Sequence, residues 1–193
     1  MMSVKVMILC FVVLGMVAGT ARAANPVVAV ETSMGTFKVE LFEDKAPITV
    51  KNFLQYVEDK HYDGTIFHRV ISDFMIQGGG FEPGLKEKKT RDPIKNEASN
   101  GLSNLKGTIA MARTGEPNSA TSQFYVNVKD NTNLDKAKDP RGVGYCVFGR
   151  VIEGMDVVEK IKGVETGTSK GHDDVPTKDI VIKSVKVVKE EKK

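Results

Sequence analysis

Residues 67–80 read Phe67-His68-Arg69-Val70-Ile71-Ser72-Asp73-Phe74-Met75-Ile76-Gln77-Gly78-Gly79-Gly80. Two short apolar runs flank a Ser-Asp break and end in glycines, which is the pattern of two adjacent short strands bounded by turns. Strict alternation along the first strand sets Phe67, Arg69 and Ile71 on one face and His68 and Val70 on the other. On spacing alone Arg69 fits a surface ion pair and His68 a hydrogen-bonded place in the core.

The same texture continues outward. Val27–Thr32 and Thr36–Leu41 flank Ser33-Met34-Gly35, and Phe37, Val39 and Leu41 alternate with Lys38 and Glu40, so a half-buried hairpin is predicted there. Pro47 suits a first helical turn, and Val50, Phe53, Leu54 and Val57 carry helical spacing, which predicts a helix from about Pro47 to Lys60. Further strands are predicted at Ile66–Ile71, Phe74–Gly78, Thr108–Arg113, Gln123–Val128, Tyr145–Val151 and Ile180–Val188, with a second helix at Met155–Ile161. Many short strands with glycine-rich connections favour a barrel or sandwich over alternating β-α units. Phe81–Lys106 and Asn131–Gly144 are long, polar loops, a length that usually marks a functional surface.

The first 23 residues carry Lys5, an unbroken apolar run Val6–Ala18 and Ala21-Arg22-Ala23, the three parts of an export signal expected to be cleaved after Ala23. That run is too short to span a bilayer, which takes roughly 18 to 20 residues, so no stable membrane anchor is expected after cleavage. Cys10 lies inside the run rather than after the cleavage site, which argues against lipidation. The expected units are therefore a signal at 1–23 and one domain at 24–193, with its core at 27–188 and a polar tail at 189–193.

Over 193 residues, 28 Lys+Arg face 25 Asp+Glu; losing the signal removes Lys5 and Arg22 but no acid, leaving 26 against 25. Such balance lacks the concentrated positive charge that a phosphate backbone requires, so no nucleic-acid partner is expected. With 40% hydrophobic and 27% charged residues, the chain is too apolar for disorder and too polar for a multi-span membrane protein. Cleavage also leaves Cys146 as the single cysteine, and its setting in Tyr145-Cys146-Val147-Phe148 predicts a buried thiol rather than a nucleophile.

His61, His68 and His172 are the only histidines, and neither H-E-x-x-H nor C-x-x-C occurs, so no metal is expected. Ser119 and Ser122 sit in Asn118-Ser119-Ala120-Thr121-Ser122-Gln123, which is not a G-x-S-x-G nucleophile elbow. Gly78-Gly79-Gly80 is followed by Phe81-Glu82-Pro83-Gly84 rather than by a Lys-Ser/Thr pair and a helix, which argues against a phosphate cradle.

Phe67-His68-Arg69-Val70-Ile71, Phe74-Met75-Ile76-Gln77-Gly78-Gly79, Gly107-Thr108-Ile109-Ala110-Met111-Ala112-Arg113, Ser122-Gln123-Phe124-Tyr125 and Val147-Phe148-Gly149 resemble, in order, the signature blocks of the cyclophilin-type peptidyl-prolyl cis-trans isomerases. The likeness runs from about Val27 to Val188, and the Asn131–Gly144 loop with the Gly144–Gly149 segment is more similar to the bacterial exported branch. It implies a mainly β fold, a closed eight-stranded antiparallel barrel capped by two helices, with a substrate groove on its outer surface. It also implies Arg69 as the catalytic residue, with Phe74, Met75, Leu134 and Tyr125 lining a proline pocket. Gln77 and Gln123 would bond the substrate, the backbone of Ala112 and Arg113 would hold the residue before proline, and His68 would support the site from behind.

Asn133 and Tyr145 complete the implied binding set and are departures from the family pattern, which commonly has Trp and His there and Phe at Tyr125. The Trp replacement implies weak cyclosporin binding. By the same resemblance no cofactor is needed, the partners are proline-containing peptides and unfolded exported proteins, and a periplasmic or secreted monomer is implied. A non-catalytic or slow proline-binding module of the same fold is the alternative; the presence of Arg69, Phe74, Met75 and Gln77 together favours the enzyme.

Overall fold

A computed structural model describes residues 24–188; the export signal expected at 1–23 and the tail at 189–193 lie outside the described residues. In chain order the elements are β1 (Val27–Thr32), β2 (Gly35–Leu41), α1 (Pro47–Glu58), β3 (Phe67–Ile71) and β4 (Met75–Gly78), then a minor pair β5 (Phe81–Glu82) and β6 (Lys86–Glu87). There follow β7 (Thr108–Met111), β8 (Phe124–Asn127), a 3-10 turn at Thr132–Leu134, β9 (Val147–Glu153), α2 (Met155–Lys162), a hairpin of β10 (Thr166–Ser169) and β11 (His172–Pro176), and β12 (Ile182–Val187).

One antiparallel sheet runs in the order β12-β1-β2-β9-β7-β8-β4-β3. It curls until its two outer strands meet: Ile66 bridges Val181, the Ile182 N–H donates to the Thr65 carbonyl at 2.7 Å, and the Phe67 N–H donates to Ile180 at 3.0 Å. Curling gives the wall an inner and an outer face. Val28, Val30, Phe37, Val39, Leu41, Ile76, Ile109, Phe124, Val126 and Phe148 point inward and are fully buried in one cluster with Val50 and Phe53 of α1 and Val158 and Ile161 of α2. Phe53 sits among aromatic rings, 5.0 Å from Tyr62, 5.3 Å from Phe148 and 5.7 Å from Phe124 between centroids, so the α1 stripe forms much of the interior.

The alternate residues face outward, and on one sector they too are apolar. Met75, Ala110, Tyr125 and Val147 form a second, smaller cluster outside the barrel, edged by Ile71, Phe74, Ala112, Leu134 and Tyr145. A sheet needs only one face buried to hold together, so a second apolar face marks the place where something else binds.

The face assignment expected for β3 is corrected here. Phe67 pairs with Gly78 and Arg69 with Gln77, so two steps along β3 match one step along β4 and His68 is the extra residue of a β-bulge. Alternation slips by one at that point. Phe67 and Val70 both enter the core, whereas His68 and Arg69, predicted on opposite faces, lie on the same outer side.

The long loop 81–106 holds little regular structure because side chains bind its backbone and its neighbours' instead. Asn96 Nδ2 donates to the Gly144 carbonyl at 3.2 Å and Asn100 Nδ2 to the Val147 carbonyl at 2.8 Å. Glu97 reaches the start of α1, where Ala46 offers no capping side chain and no acid occupies the first turn. Its carboxylate accepts from the Ile48 N–H at 3.2 Å, the Thr49 N–H at 2.8 Å and the Thr49 hydroxyl at 2.7 Å. It thus satisfies open N–H groups at the positive end of the helix dipole from 48 positions further along the chain. Cys146 is buried beside Thr49, and burial pushes its thiol up to about 11, which makes it unreactive. Replacing Glu97 by Ala is expected to cost about 1 to 2 kcal/mol, read as a lower urea midpoint at unchanged slope.

Candidate active site

The outer apolar cluster floors a cleft of about 600 Å³. Met75 and Tyr125, both buried, form its base, and the half-buried Phe74, Leu134 and Tyr145 line it above. Arg69, His68, Gln77 and Gln123 border the apolar base as its polar side, with Ala112 and Arg113 at the adjoining rim. Asn133, expected among these residues, is exposed and is not part of the lining. The 3-10 turn Thr132–Leu134 sends Leu134 inward and leaves its neighbour outside.

The polar side is built by close backbone approach. Gln77 Nε2 donates to Gln123 Oε1 at 2.9 Å, which ties β4 to the residue before β8. Gly79 adopts φ of +86°, and a Cβ there would come within 3.0 Å of the Phe124 ring, while a Cβ at Gly80 would come within 2.5 Å of the Gln123 side chain. Gly79 and Gly80 therefore make room for Gln123 and its strand. The Ala112 N–H donates to the Gln123 carbonyl at 3.0 Å, fixing the rim to the same residue.

Arg113 does not reach out as a free cation. Its side chain is buried, its Nε donates to the Gly144 carbonyl at 3.0 Å, its Nη2 lies 3.7 Å from Asp139, and its guanidinium stacks 4.2 Å from the Tyr145 ring centroid. Backbone hydrogen bonds from Arg141 and Gly144 hold the Asp139 carboxyl well below its ordinary value, so it stays charged opposite Arg113. Arg69, by contrast, is half-exposed in the cleft, with Nε 3.6 Å from Asp174 Oδ2. Beside it His68 is buried, and burial, joined by the charges of His172 and Arg69, pushes its imidazole down to about 4. At neutral pH the cleft therefore presents a guanidinium and a neutral imidazole side by side.

Residues 27–187 match the family model for cyclophilin type peptidyl-prolyl cis-trans isomerase/CLD. The chain belongs to the cyclophilin-type peptidyl-prolyl cis-trans isomerases. It is 60% identical over 162 residues to peptidyl-prolyl cis-trans isomerase cyp18 of Streptomyces antibioticus, covering 83% of this chain and 98% of the relative. To peptidyl-prolyl cis-trans isomerase B of Escherichia coli K12 it is 58% identical over 161 residues, covering 83% and 98%. A cyclophilin of Cryptosporidium parvum solved in the presence of the dipeptide Ala-Pro superposes with a TM-score of 0.72 at 27% identity, over 85% of this chain and 99% of that one.

Against the cyclophilin pattern, the hydroxyl of Tyr125 has a definite place. It donates to Asn104 Oδ1 at 2.8 Å, and both residues are buried, so the extra oxygen lies beneath the cleft floor rather than in it. Asn104 in turn donates from Nδ2 to Asp135 Oδ1 at 3.0 Å, and Asp135 also accepts from the Ser103 hydroxyl. Burial works to raise the Asp135 carboxyl, but the hydrogen bonds from Ser103 and Asn104 outweigh it and hold it below its usual value. Asn131 donates to the Phe74 carbonyl at 2.7 Å and to Asn127 Oδ1 at 2.8 Å, so the same polar layer supports the loop bearing Phe74.

Sequence reading assigned no element to residues 163–179, yet the β10–β11 hairpin supplies Gly171, His172, Asp173 and Asp174 to the cyclophilin cleft, and Phe81 joins them. The glycines at 167 and 171 and a lone histidine were the signals available there, and without apolar alternation they point to a turn rather than to a site.

Two outcomes follow for this cleft. Unfolding admits a proton to His68 that folding refuses between its ordinary value of 6.5 and about 4, so stability falls as pH drops through that window and is unaffected above it. The His68→Gln protein is expected to lack up to roughly 3 kcal/mol of that acid-side loss, measured as urea stability against pH in parallel with the parent. Tyr125→Phe is expected to cost about 1 kcal/mol of stability with isomerase turnover within about twofold, because Asn104 keeps a second donor in Asn127 at 3.3 Å.

Proposed function

We propose that this cyclophilin accelerates rotation about X–Pro bonds in exported polypeptides, with the outer apolar cluster holding the proline ring and Arg69 as the catalytic residue. The observation that carries the reading is the convergence of one half-exposed guanidinium, an apolar pocket and the Gln77–Gln123 pair in a single cleft. The Ala-Pro dipeptide present with the Cryptosporidium relative supports a proline-containing ligand for a cleft of this family.

The chemistry needs no nucleophile. An X–Pro bond resists rotation because nitrogen shares its lone pair with the carbonyl, which gives a barrier of roughly 18 to 20 kcal/mol. Halfway through rotation the sharing is lost and the lone pair is localised on nitrogen, where it can accept a hydrogen bond that the planar form cannot. A guanidinium aimed at that nitrogen binds the twisted state better than either planar state. Uncatalysed exchange takes about 10 to 100 s, so a turnover near 10 per second asks for roughly 3 to 4 kcal/mol, within reach of one or two charge-assisted hydrogen bonds in a partly dry groove.

Tyr125 does not favour the binding-module alternative, since its hydroxyl is engaged by Asn104 and leaves the apolar pocket free. Export rests on Lys5, the run Val6–Ala18 and Ala21-Arg22-Ala23.

In an exchange-NMR assay on an Ala-Pro peptide, both Arg69→Ala and Arg69→Lys are expected to lose about ten- to a hundredfold in kcat/KM, because lysine keeps the charge but not the planar fork. Full activity in both would remove Arg69 from its role, and saturable peptide binding without acceleration in the parent would select the binding module. Fractionation of a bacterium expressing the full chain, followed by N-terminal sequencing, is expected to return a start at Ala24 outside the cytoplasm; an intact Met1 in the membrane fraction would select an anchored form, and recovery in the cytoplasm alone would refute export.

A further inference from the structure

The hairpin that forms one lip of the cleft is anchored on its other sides. Lys170 Nζ donates to the Gly84 carbonyl at 2.6 Å, the His172 ring lies 5.7 Å from Phe81, and Phe81 lies 4.6 Å from His68 between centroids. Val175 and Pro176, the next residues of β11, are buried. Between the exposed tip and that buried end, Asp174 takes φ of +61°. A non-glycine residue in this left-handed region is uncommon, and aspartate is one of the few that accept it. There Asp174 meets Arg69, and among the described residues it is the sole charged partner of that guanidinium.

The contact is made at Nε, the stem side of the fork, and its 3.6 Å is an ionic approach rather than a hydrogen bond. Among the described residues, no protein group bonds the two terminal nitrogens of Arg69. The neighbouring Asp173 is occupied differently, accepting from the Thr168 hydroxyl at 2.7 Å within the hairpin.

Resting on the reading of Arg69 as catalytic, we propose that Asp174 is a positioning residue, which holds the Arg69 side chain from behind so that its terminal N–H groups face the rotating peptide. A long, half-exposed arginine otherwise loses much of its rotamer freedom at the moment of reaction. Restraining it beforehand acts on the transition state, where the hydrogen bond to nitrogen forms, and leaves ground-state peptide binding alone. The proposal therefore concerns kcat and not KM.

Asp174→Asn keeps the shape of the side chain and, like aspartate, tolerates the left-handed backbone, so folding is not at stake. On an Ala-Pro peptide its kcat is expected to fall about five- to tenfold with KM within about twofold, and no further loss is expected when it is added to Arg69→Ala. The Nε–Hε resonance of Arg69 in a nitrogen-15 spectrum, dispersed in the parent, is expected to move toward that of a mobile arginine in Asp174→Asn. Unchanged kcat with an unchanged Nε–Hε signal, while Arg69→Ala is inactive, would reduce the pair to a surface contact and overturn the proposal. Rearranged β10–β11 amide signals with a raised KM would overturn it too, in favour of a structural role. Full activity in Arg69→Ala would locate the failure in the assignment of Arg69 itself.

Discussion

Opposite one step of β4, from Gly78 to Gln77, β3 spends two, and the surplus residue is His68. That local mismatch governs much of what the cleft presents. With regular pairing, Arg69 would share a face with Phe67, which is fully buried among aromatic rings in the interior. A guanidinium placed there would be desolvated without a partner, a cost far beyond what one strand could absorb. The bulge lets Phe67 and Val70 both remain inside while Arg69 comes out beside Gln77, its register partner and its neighbour in the cleft.

The remainder of the site depends on the wall having two apolar faces. Met75 and Ile76, Ile109 and Ala110, and Tyr125 and Val126 are adjacent pairs that divide between the outer cluster and the core. The core can be filled by any well-packed set, and it takes its rigidity from Phe53 and its ring neighbours. Among the described residues the outer cluster has no second layer over it, so its loops need another means of support. Buried asparagines supply it: Asn104 under Tyr125, Asn127 beside it, and Asn131 under Phe74 are linked side chain to side chain and side chain to backbone. Such a network stabilises only if every member is satisfied, and it fixes loop geometry in a way that apolar contact does not.

Period-two alternation and helical spacing were enough to find every strand of the main sheet and both helices, with ends within a few residues, because each of these elements buries one face against a common interior. The predicted helix from Pro47 ran to Lys60 and the observed one stops at Glu58, a difference of fraying rather than of kind. The bulge at His68 was not legible, since it arises from how β3 is matched to β4 and leaves no mark in β3 alone. Glu97 at the start of α1 was equally hidden, being a contact between residues 48 positions apart. The β10–β11 hairpin escaped because its strand residues are mostly exposed and carry no hydrophobic period. Asn133, carried over by resemblance with its neighbours, lies exposed next to Leu134 and outside the cleft lining, a distinction that a block of similar sequence does not carry.

Three basic side chains of the cleft are held in different ways. Arg113 is buried against Asp139 and Tyr145 and serves as structure. His68 is kept neutral, chiefly by burial and further by the charges of His172 and Arg69, so it does not repel the guanidinium it adjoins. Under the proposed mechanism, a charged His68 would add a second cation beside Asp174 and the developing lone pair, and the hydrogen bond assigned to Arg69 would be shared among poorly placed donors. With the imidazole beside it neutral, the Arg69 fork meets the condition the proposed mechanism sets, a directional hydrogen bond to the rotating nitrogen rather than a general positive field.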